Sequence, residues 1–288
     1  MKNIVWLASF PRSGNTWLRL LLSELLLPSE KRLDLSSSFG LHCANRRLFE
    51  ETIDFPITLL SVAEVNALRP SVYKNWATAW SQDFPLFVKV HDCFDKNHQK
   101  DWLFPSSVTL SGIYIIRNPL DVCVSYAHFW GLDGYAAAAD MICDPLHAIP
   151  KGDVNLFGQL YQHLGDWSHN VRSWTHDAEF PLKVVKYEDM KKDSLGTLGD
   201  IVHYLGFSFD ETQIRRAVER CQIGELQKQE RDAGFKDRPY SGERFFRQGE
   251  VGAWQNILPV DVCNKIIHTH REMMCKFGYL SSDGLPLI

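Results

Sequence analysis

Three stretches of this chain set cations or hydroxyls at the end of an apolar run of strand length, and a fourth sets an arginine beside glycines. The first is Ser9-Phe10-Pro11-Arg12-Ser13-Gly14-Asn15-Thr16-Trp17. It follows Ile4 to Ala8, an apolar run of strand length, and precedes Leu18, Leu21, Leu22 and Leu25 at helical spacing. A strand, a loop of small residues and a helix start turn several backbone N–H groups toward one point. The helix dipole adds positive potential there and Arg12 a full charge. The pattern predicts a seat for a phosphate or sulfate group. Compared with the P-loop G-x-x-x-x-G-K-[ST], aligned on Gly14, Thr16 keeps the last place, but Asn15 stands for the lysine and Ser9 for the first glycine. A triphosphatase needs that lysine on its β/γ-phosphates and magnesium on the Ser/Thr hydroxyl. This loop suits a shorter anion held by amides, hydroxyls and one guanidinium. An ordinary βα turn carrying a chance arginine is the alternative.

The second stretch, Leu86-Phe87-Val88-Lys89-Val90-His91, reads as a short strand. Lys89 and His91 are two apart, so their side chains share one side. A lone histidine here would more often be structural. A lysine and histidine together at the C-terminal end of a strand are where open α/β sheets bind ligands. The third stretch begins with Thr109 to Ile116, the best buried strand in the chain, which ends at Arg117-Asn118-Pro119. Asn118 suits an N-cap, Pro119 the first helical position and Asp121 the first turn. The helix that follows runs to about Trp130 and carries Ser125 two turns in; a capping cation and a helix-face filler are the bland alternatives for Arg117 and Ser125. The fourth stretch is Phe246-Arg247-Gln248-Gly249-Glu250-Val251-Gly252-Ala253-Trp254.

Taken in order, these stretches resemble the motifs of the soluble sulfotransferases that use 3′-phosphoadenosine 5′-phosphosulfate (PAPS). Ser-Phe-Pro-Arg-Ser-Gly-Asn-Thr-Trp-Leu is similar to their 5′-phosphosulfate loop. Arg-Asn-Pro-x-Asp-Val-x-Val-Ser-Tyr is similar to the motif whose arginine and serine bind the 3′-phosphate. Tyr187-Glu188-Asp189-Met190 resembles a strand end whose tyrosine lies near the adenosine, and Leu226 to Phe235 a segment near the adenine. The fourth stretch resembles an Arg-Lys-Gly then Gly-Asp-Trp motif that completes the 3′-phosphate site, with Gln248 for the lysine and Ala253 for the aspartate.

The resemblance implies an α/β fold, a single domain over 1–288 with a central parallel sheet flanked by helices, P-loop-nucleotide-kinase-like, and 281–288 as a loose tail. It implies His91 as the general base on the acceptor, with Lys89 and Arg12 neutralising the transferring group and leaving phosphate. Ser13, Gly14, Asn15 and Thr16 would hold the 5′-phosphate, Trp17 would wall the adenine, and Arg117, Ser125, Tyr187, Arg247, Gln248 and Gly249 would complete the nucleotide site. PAPS is the implied co-substrate. No metal-ligand spacing occurs, so fixed cations would stand in for magnesium. Arg12 replaces the commoner lysine; it can fork onto two oxygens but cannot lend a proton, so it would act by charge.

Several elements must position these residues. A first helix is expected from Asn15 to Leu26, stopping at Pro28. Residues 29–60 read as irregular with short helices. Ser61 to Glu64 is a capping box opening a helix that should end before Pro70. Gly131 to Gly152 carries the weakest pattern, suited to a lid or acceptor loop, or to a plain connector. Phe157, Leu160, Tyr161, Leu164, Trp167, Val171 and Trp174 recur at three and four, which predicts one long helix from Asn155 to Trp174. A strand from Pro181 to Tyr187, helices over Leu195–Leu205 and Asp210–Cys221, a mobile loop over 236–248 and a final helix over Asp261–Lys276 complete the expectation.

The hydrophobic fraction of 45% over 288 residues is that of a globular chain long enough for one large or two small domains. A net charge of -4 excludes bulk nucleic-acid binding, so any anion site is local. Seven cysteines with no C-x-x-C favour free thiols in a reducing compartment. The N-terminal apolar run is cut short by Pro11 and Arg12, unlike a signal peptide, and Leu20 to Leu27 is too short to span a bilayer and contains Glu24. A cytoplasmic enzyme acting on a small molecule, with no nucleic-acid or membrane partner, is expected. A P-loop kinase or NTPase and a non-catalytic binder of 3′-phosphoadenosine 5′-phosphate (PAP) are the alternatives. The acceptor is not encoded legibly, nor is the oligomeric state.

Overall fold

The computed structural model describes residues 2–35, 40–150, 158–235, 237 and 244–287. Its centre is a five-stranded sheet in the order β2-β3-β1-β4-β7, formed by β1 (Ile4–Ala8), β2 (Leu41–His42), β3 (Leu86–Val90), β4 (Thr109–Ile116) and β7 (Leu182–Lys186). β1 pairs in parallel with β3 and with β4, and β2 with β3. Every residue of β1 is buried, as a strand inside a parallel sheet must be when both faces are covered. The register Ala8↔Val90 brings the C-terminal ends of β1 and β3 level, while Ala8↔Tyr114 lets β4 run two residues further, to Ile116. Ser9 and His91 leave the sheet at that edge.

The chain divides into two compact units. The first comprises Met1–Phe10, Gly40–Tyr114 and Asp144–Val184. It holds the sheet except for the last residues of β4 and β7, together with α2 (Arg46–Ile53), α3 (Val62–Ala79), α6 (Trp167–Asp177) and a small antiparallel pair, β5 (Ala148–Ile149) with β6 (Gln162–His163). Its core is aromatic. The rings of Trp6 and Trp174 each lie within about 5.2 Å of Phe104, edge-on or tilted, arrangements that add to the area they bury. The Trp6 indole N–H reaches the Thr109 hydroxyl at 2.8 Å, so its buried donor is satisfied.

The second unit comprises Pro11–Phe39, Ile115–Cys143 and Val185–Ile288. It is helical: α1 (Asn15–Leu26), α4 (Pro119–Trp130), α5 (Tyr135–Ile142), α7 (Tyr187–Lys192), α8 (Ser194–Tyr204), α9 (Glu211–Arg220), α10 (Ile223–Ala233) and α11 (Val260–Lys276). α4 begins as its sequence requires. The Asn118 side chain accepts from the Leu120 N–H at 3.0 Å, Pro119 opens the helix, and Gly131 ends it at φ +60°. All seven cysteines are free thiols.

Three expectations fail in instructive ways. α3 does not stop before Pro70 but runs through it to Ala79. Proline costs a helix about 3 kcal/mol through its missing donor and ring clash. Val72, Tyr73, Trp76 and Ala77, all buried beyond it, more than offset that at about 1.5–3 kcal/mol for each large side chain. The long helix from Asn155 to Trp174 is absent. Residues 151–157 lie outside the described residues, β6 occupies Gln162–His163, and α6 starts only at Trp167. Leu160, Gln162 and Leu164 are buried alternately, a strand period that a three-and-four spacing of apolar residues had disguised. Asp166 marks the true helix start, accepting from the His169 N–H at 2.8 Å. The weakly patterned 131–152 contains a helix, α5, buried through Ala138, Ala139 and Ile142. The expected mobile loop lies largely outside the described residues, which resume at Arg244.

Candidate active site

In the first unit, Lys89 is half-buried on β3 and His91 follows the strand's end. His91 is buried, and its Nδ1 lies 2.8 Å from the backbone oxygen of Ser9. A carbonyl oxygen can only accept, so Nδ1 carries the proton. The Nε2 lone pair is then the basic one, which is the tautomer a general base needs. The Ser9 N–H in turn bonds the Val90 oxygen at 3.2 Å, tying the two strand ends together. The backbone oxygen of His91 accepts from Asn170 Nδ2 at 3.0 Å. His42, aligned with Lys89 across β2 and β3, places its ring 6.2 Å from that of His91.

In the second unit, the loop before α1 has two left-handed residues, Arg12 at φ +69° and Gly14 at φ +104°. Glycine is required at the second. A Cβ there would fall 2.6 Å from Tyr187 Cδ2 in a backbone conformation that side chains resist. Ser13 is wholly buried, yet its hydroxyl has no hydrogen-bond partner among the described residues. Asn15 opens α1; Thr16 and Trp17 are half-buried. The Trp17 indole N–H donates to the Cys221 oxygen at 3.0 Å, and its ring meets Tyr187 edge-on at 5.9 Å.

Arg12 is half-exposed as a residue, but its guanidinium is enclosed. The guanidinium carbon stands 4.5 Å from the ring centres of both Phe129 and Phe245, and Nε donates to Ser125 Oγ at 3.1 Å. Its pKa is lowered to about 10, by burial first and then by the charges of Arg117 and Arg247. Three guanidinium groups therefore repel one another at a partly dehydrated place, which suits a multiply charged anion. Arg117 donates to the Arg12 oxygen at 3.2 Å and to the Glu250 oxygen at 2.9 Å, and lies over the Tyr187 ring at 4.3 Å. Its Nε is buried with no partner among the described residues. The Tyr187 hydroxyl donates to the Gly249 oxygen at 2.8 Å.

The second unit thus gathers Arg12, Ser13, Gly14, Trp17, Ser125, Arg117, Tyr187, Arg247 and Gly249 around one cradle, while Gln248 faces solvent. Two further residues shape it. Asp121 accepts the backbone N–H groups of Gly252 at 2.8 Å and Trp254 at 3.2 Å, fastening the closing loop. Glu188 accepts the Asn118 N–H at 2.9 Å and the Tyr279 hydroxyl at 3.0 Å. The sequence showed Asp121 as a favourable first-turn charge and both residues as members of matched motifs, without a role for either side chain.

The family described as Sulfotransferase domain matches residues 2–278. Among curated proteins, rat Sulfotransferase 2A1 is 28% identical over 169 residues, which is 57% of this chain and 57% of that protein. The chain therefore spans little more than half the length of this relative. Cytosolic sulfotransferase 1 of Arabidopsis thaliana is 26% identical over 269 residues, 90% of this chain and 75% of that one. Among solved structures, mouse sulfotransferase SULT7A1 complexed with PAP superposes with a TM-score of 0.59 at 20% identity, covering 95% of this chain and 84% of that one. Retinol dehydratase in complex with androsterone and PAP gives 0.61 at 19% identity, covering 94% and 80%. These structural likenesses establish the α/β fold. No helix among the described residues is long and apolar enough to cross a membrane.

Proposed function

The chain belongs to the sulfotransferase-domain family, and from that premise we propose that it transfers the sulfuryl group of PAPS to a hydroxyl or amine of a small or medium-sized acceptor. The observation that carries the proposal is a pair of buried polar atoms without partners among the described residues, Ser13 Oγ and Arg117 Nε, in the arginine-rich cradle of the second unit. Buried donors are normally satisfied, and leaving one unmade costs about 1–3 kcal/mol. Phosphate oxygens of a nucleotide would satisfy both.

When bound, PAPS supplies an activated sulfuryl group on a phosphate leaving group. The amides of the 12–16 loop, with Ser13 and Thr16, hold the 5′-phosphate; Arg12 stabilises its developing charge. Arg117, Ser125, Arg247 and the Gly249 amide hold the 3′-phosphate. Trp17 and Tyr187 wall the adenosine. His91, protonated on Nδ1, takes the acceptor proton on Nε2, and Lys89 neutralises charge on the moving group. As in phosphoryl transfer, positioning and charge stabilisation carry the rate. A small-molecule acceptor and a cytoplasmic setting accompany this function.

The test is transfer of radiolabelled sulfate from PAPS into an extract of the source cells, with labelled products identified by mass. A discrete labelled product is expected. Magnesium-dependent ATP turnover with no sulfate transfer would overturn the proposal in favour of a kinase or NTPase.

A further inference from the structure

In the first unit a buried ion pair lies next to His91 in the chain. Arg69 is wholly buried on α3, and Asp92 is 1% exposed. The guanidinium grips the carboxylate with both nitrogens, at 2.7 and 3.0 Å. Arg69 Nε donates to the Tyr73 hydroxyl at 2.8 Å, and that hydroxyl donates to the Cys43 oxygen at 3.1 Å. From the other side, α6 presents two side chains one turn apart. Asn170 donates to the backbone oxygen of His91 at 3.0 Å and Trp174 to that of Asp92 at 2.9 Å. The chain where it leaves β3 is thus held from α3 by Arg69, which Tyr73 braces one turn on, and from α6 by Asn170 and Trp174.

We propose that the Arg69–Asp92 pair is a positioning device for His91: the fork of Arg69 fixes the Asp92 side chain, and with it the neighbouring backbone from which His91 emerges. The two residues share one planar peptide, and Asn170 and Trp174 hold their backbone oxygens, so pinning one limits the direction of the other. A two-point fork fixes a plane, where an apolar contact would fix only a distance. Stability alone does not account for the pair. Replacing a buried ion pair by apolar residues of similar volume is often neutral or stabilising, whereas removing one partner strands the other. What apolar residues would lose here is direction, and a misplacement of about 1 Å can cost about 100-fold in rate. The assignment of a catalytic consequence rests on the proposed role of His91 as base.

The test removes both charges at once, in Arg69→Met/Asp92→Leu, beside the milder Arg69→Lys, which keeps the charge without the fork. Three measurements are made on the full chain: the urea midpoint, transfer from PAPS to 2-naphthol as a phenolic probe, and the ¹H–¹⁵N spectrum of the histidine rings, with His91→Gln assigning its signals. The double variant is expected to keep its urea midpoint and the KM for PAPS, lose about 10–100-fold in kcat, and show His91 averaging over both tautomers. Arg69→Lys should fall between it and the parent. A double variant with parental kcat and an unchanged His91 ring overturns the proposal. If the double variant fails to fold, Arg69→Lys decides: parental kcat and a parental ring signal in that variant overturn it. A parent that transfers sulfate neither to 2-naphthol nor into the cell extract, yet whose His91 ring loses order in the variants, sinks the proposed function and leaves the positioning role standing.

Discussion

Arg12 Nε donates to Ser125 Oγ at 3.1 Å, joining the loop before α1 to the second turn of α4. One side chain therefore touches both halves of the proposed nucleotide cradle. Held between Phe129 and Phe245 and facing Arg117 and Arg247, the guanidinium pays in dehydration and repulsion, a cost that an anion would reverse. Arg12→Met is expected to lower kcat by about 10²–10³, the usual loss on removing one preorganised donor to a developing charge. Arg12→Lys should recover part of it, since a lysine keeps the charge without the fork. Initial rates of labelled-sulfate transfer measure both. Equal rates in Arg12→Met and the parent would remove Arg12 from the reaction.

The unpartnered atoms of Ser13 and Arg117 predict that a nucleotide with two separate phosphates stabilises the fold. At a concentration 100 times its dissociation constant, PAP should add about 2.7 kcal/mol, a rise in Tm of roughly 4–5 °C for a chain of this size. Adenosine 5′-monophosphate, lacking the 3′-phosphate, should give a much smaller shift. Arg117→Met should shrink the PAP shift toward that of the monophosphate. Thermal unfolding with each nucleotide reads this directly; identical shifts for both nucleotides in the parent would refute the 3′-phosphate role.

His91 is predicted to act on the acceptor and not on the nucleotide. His91→Ala should lower turnover by about 10²–10⁴ while PAP affinity stays within about threefold, because its described bonds tie it to Ser9 in the first unit. Calorimetric titration with PAP, beside a rate measurement, separates the two effects. A mutant with parental turnover takes the base role from His91.

The parts of this arrangement that were legible in the sequence are those with local causes. Asn118, Pro119 and Gly131 delimit α4 by capping chemistry, and the loop around Gly14 declares itself by residue type. Illegible were the contacts made by residues far apart in the chain. Nothing near Arg69 announces a partner 23 positions away, and nothing near Phe129 announces Phe245. Pro70 inside α3 shows the same limit: a local breaker was outweighed by burial that only the folded chain supplies. Trp174 was expected on a helix face, but Tyr73 lay beyond the helix end expected at Pro70. That Asn170, Trp174 and Arg69 aim polar atoms at residues 91 and 92 was not legible.

Glu188 supplies a pH dependence with a definite sign. Burial raises its carboxyl above the ordinary value of 4.5; the Asn118 N–H and the Tyr279 hydroxyl oppose this but do not cancel it. A carboxyl whose folded-state pKa is raised binds its proton more tightly when folded than when unfolded. Its contribution to stability is therefore fully present below the unfolded value and is lost as pH rises through the folded one. Glu188→Gln removes the titration and keeps a side-chain oxygen to accept the Asn118 N–H, held at 2.9 Å in the parent. Relative to this variant, the parent should lose stability as pH rises above 4.5. Urea midpoints measured across that rise give the difference. A parent that instead gains on the variant as pH rises would mean that its hydrogen bonds outweigh its burial.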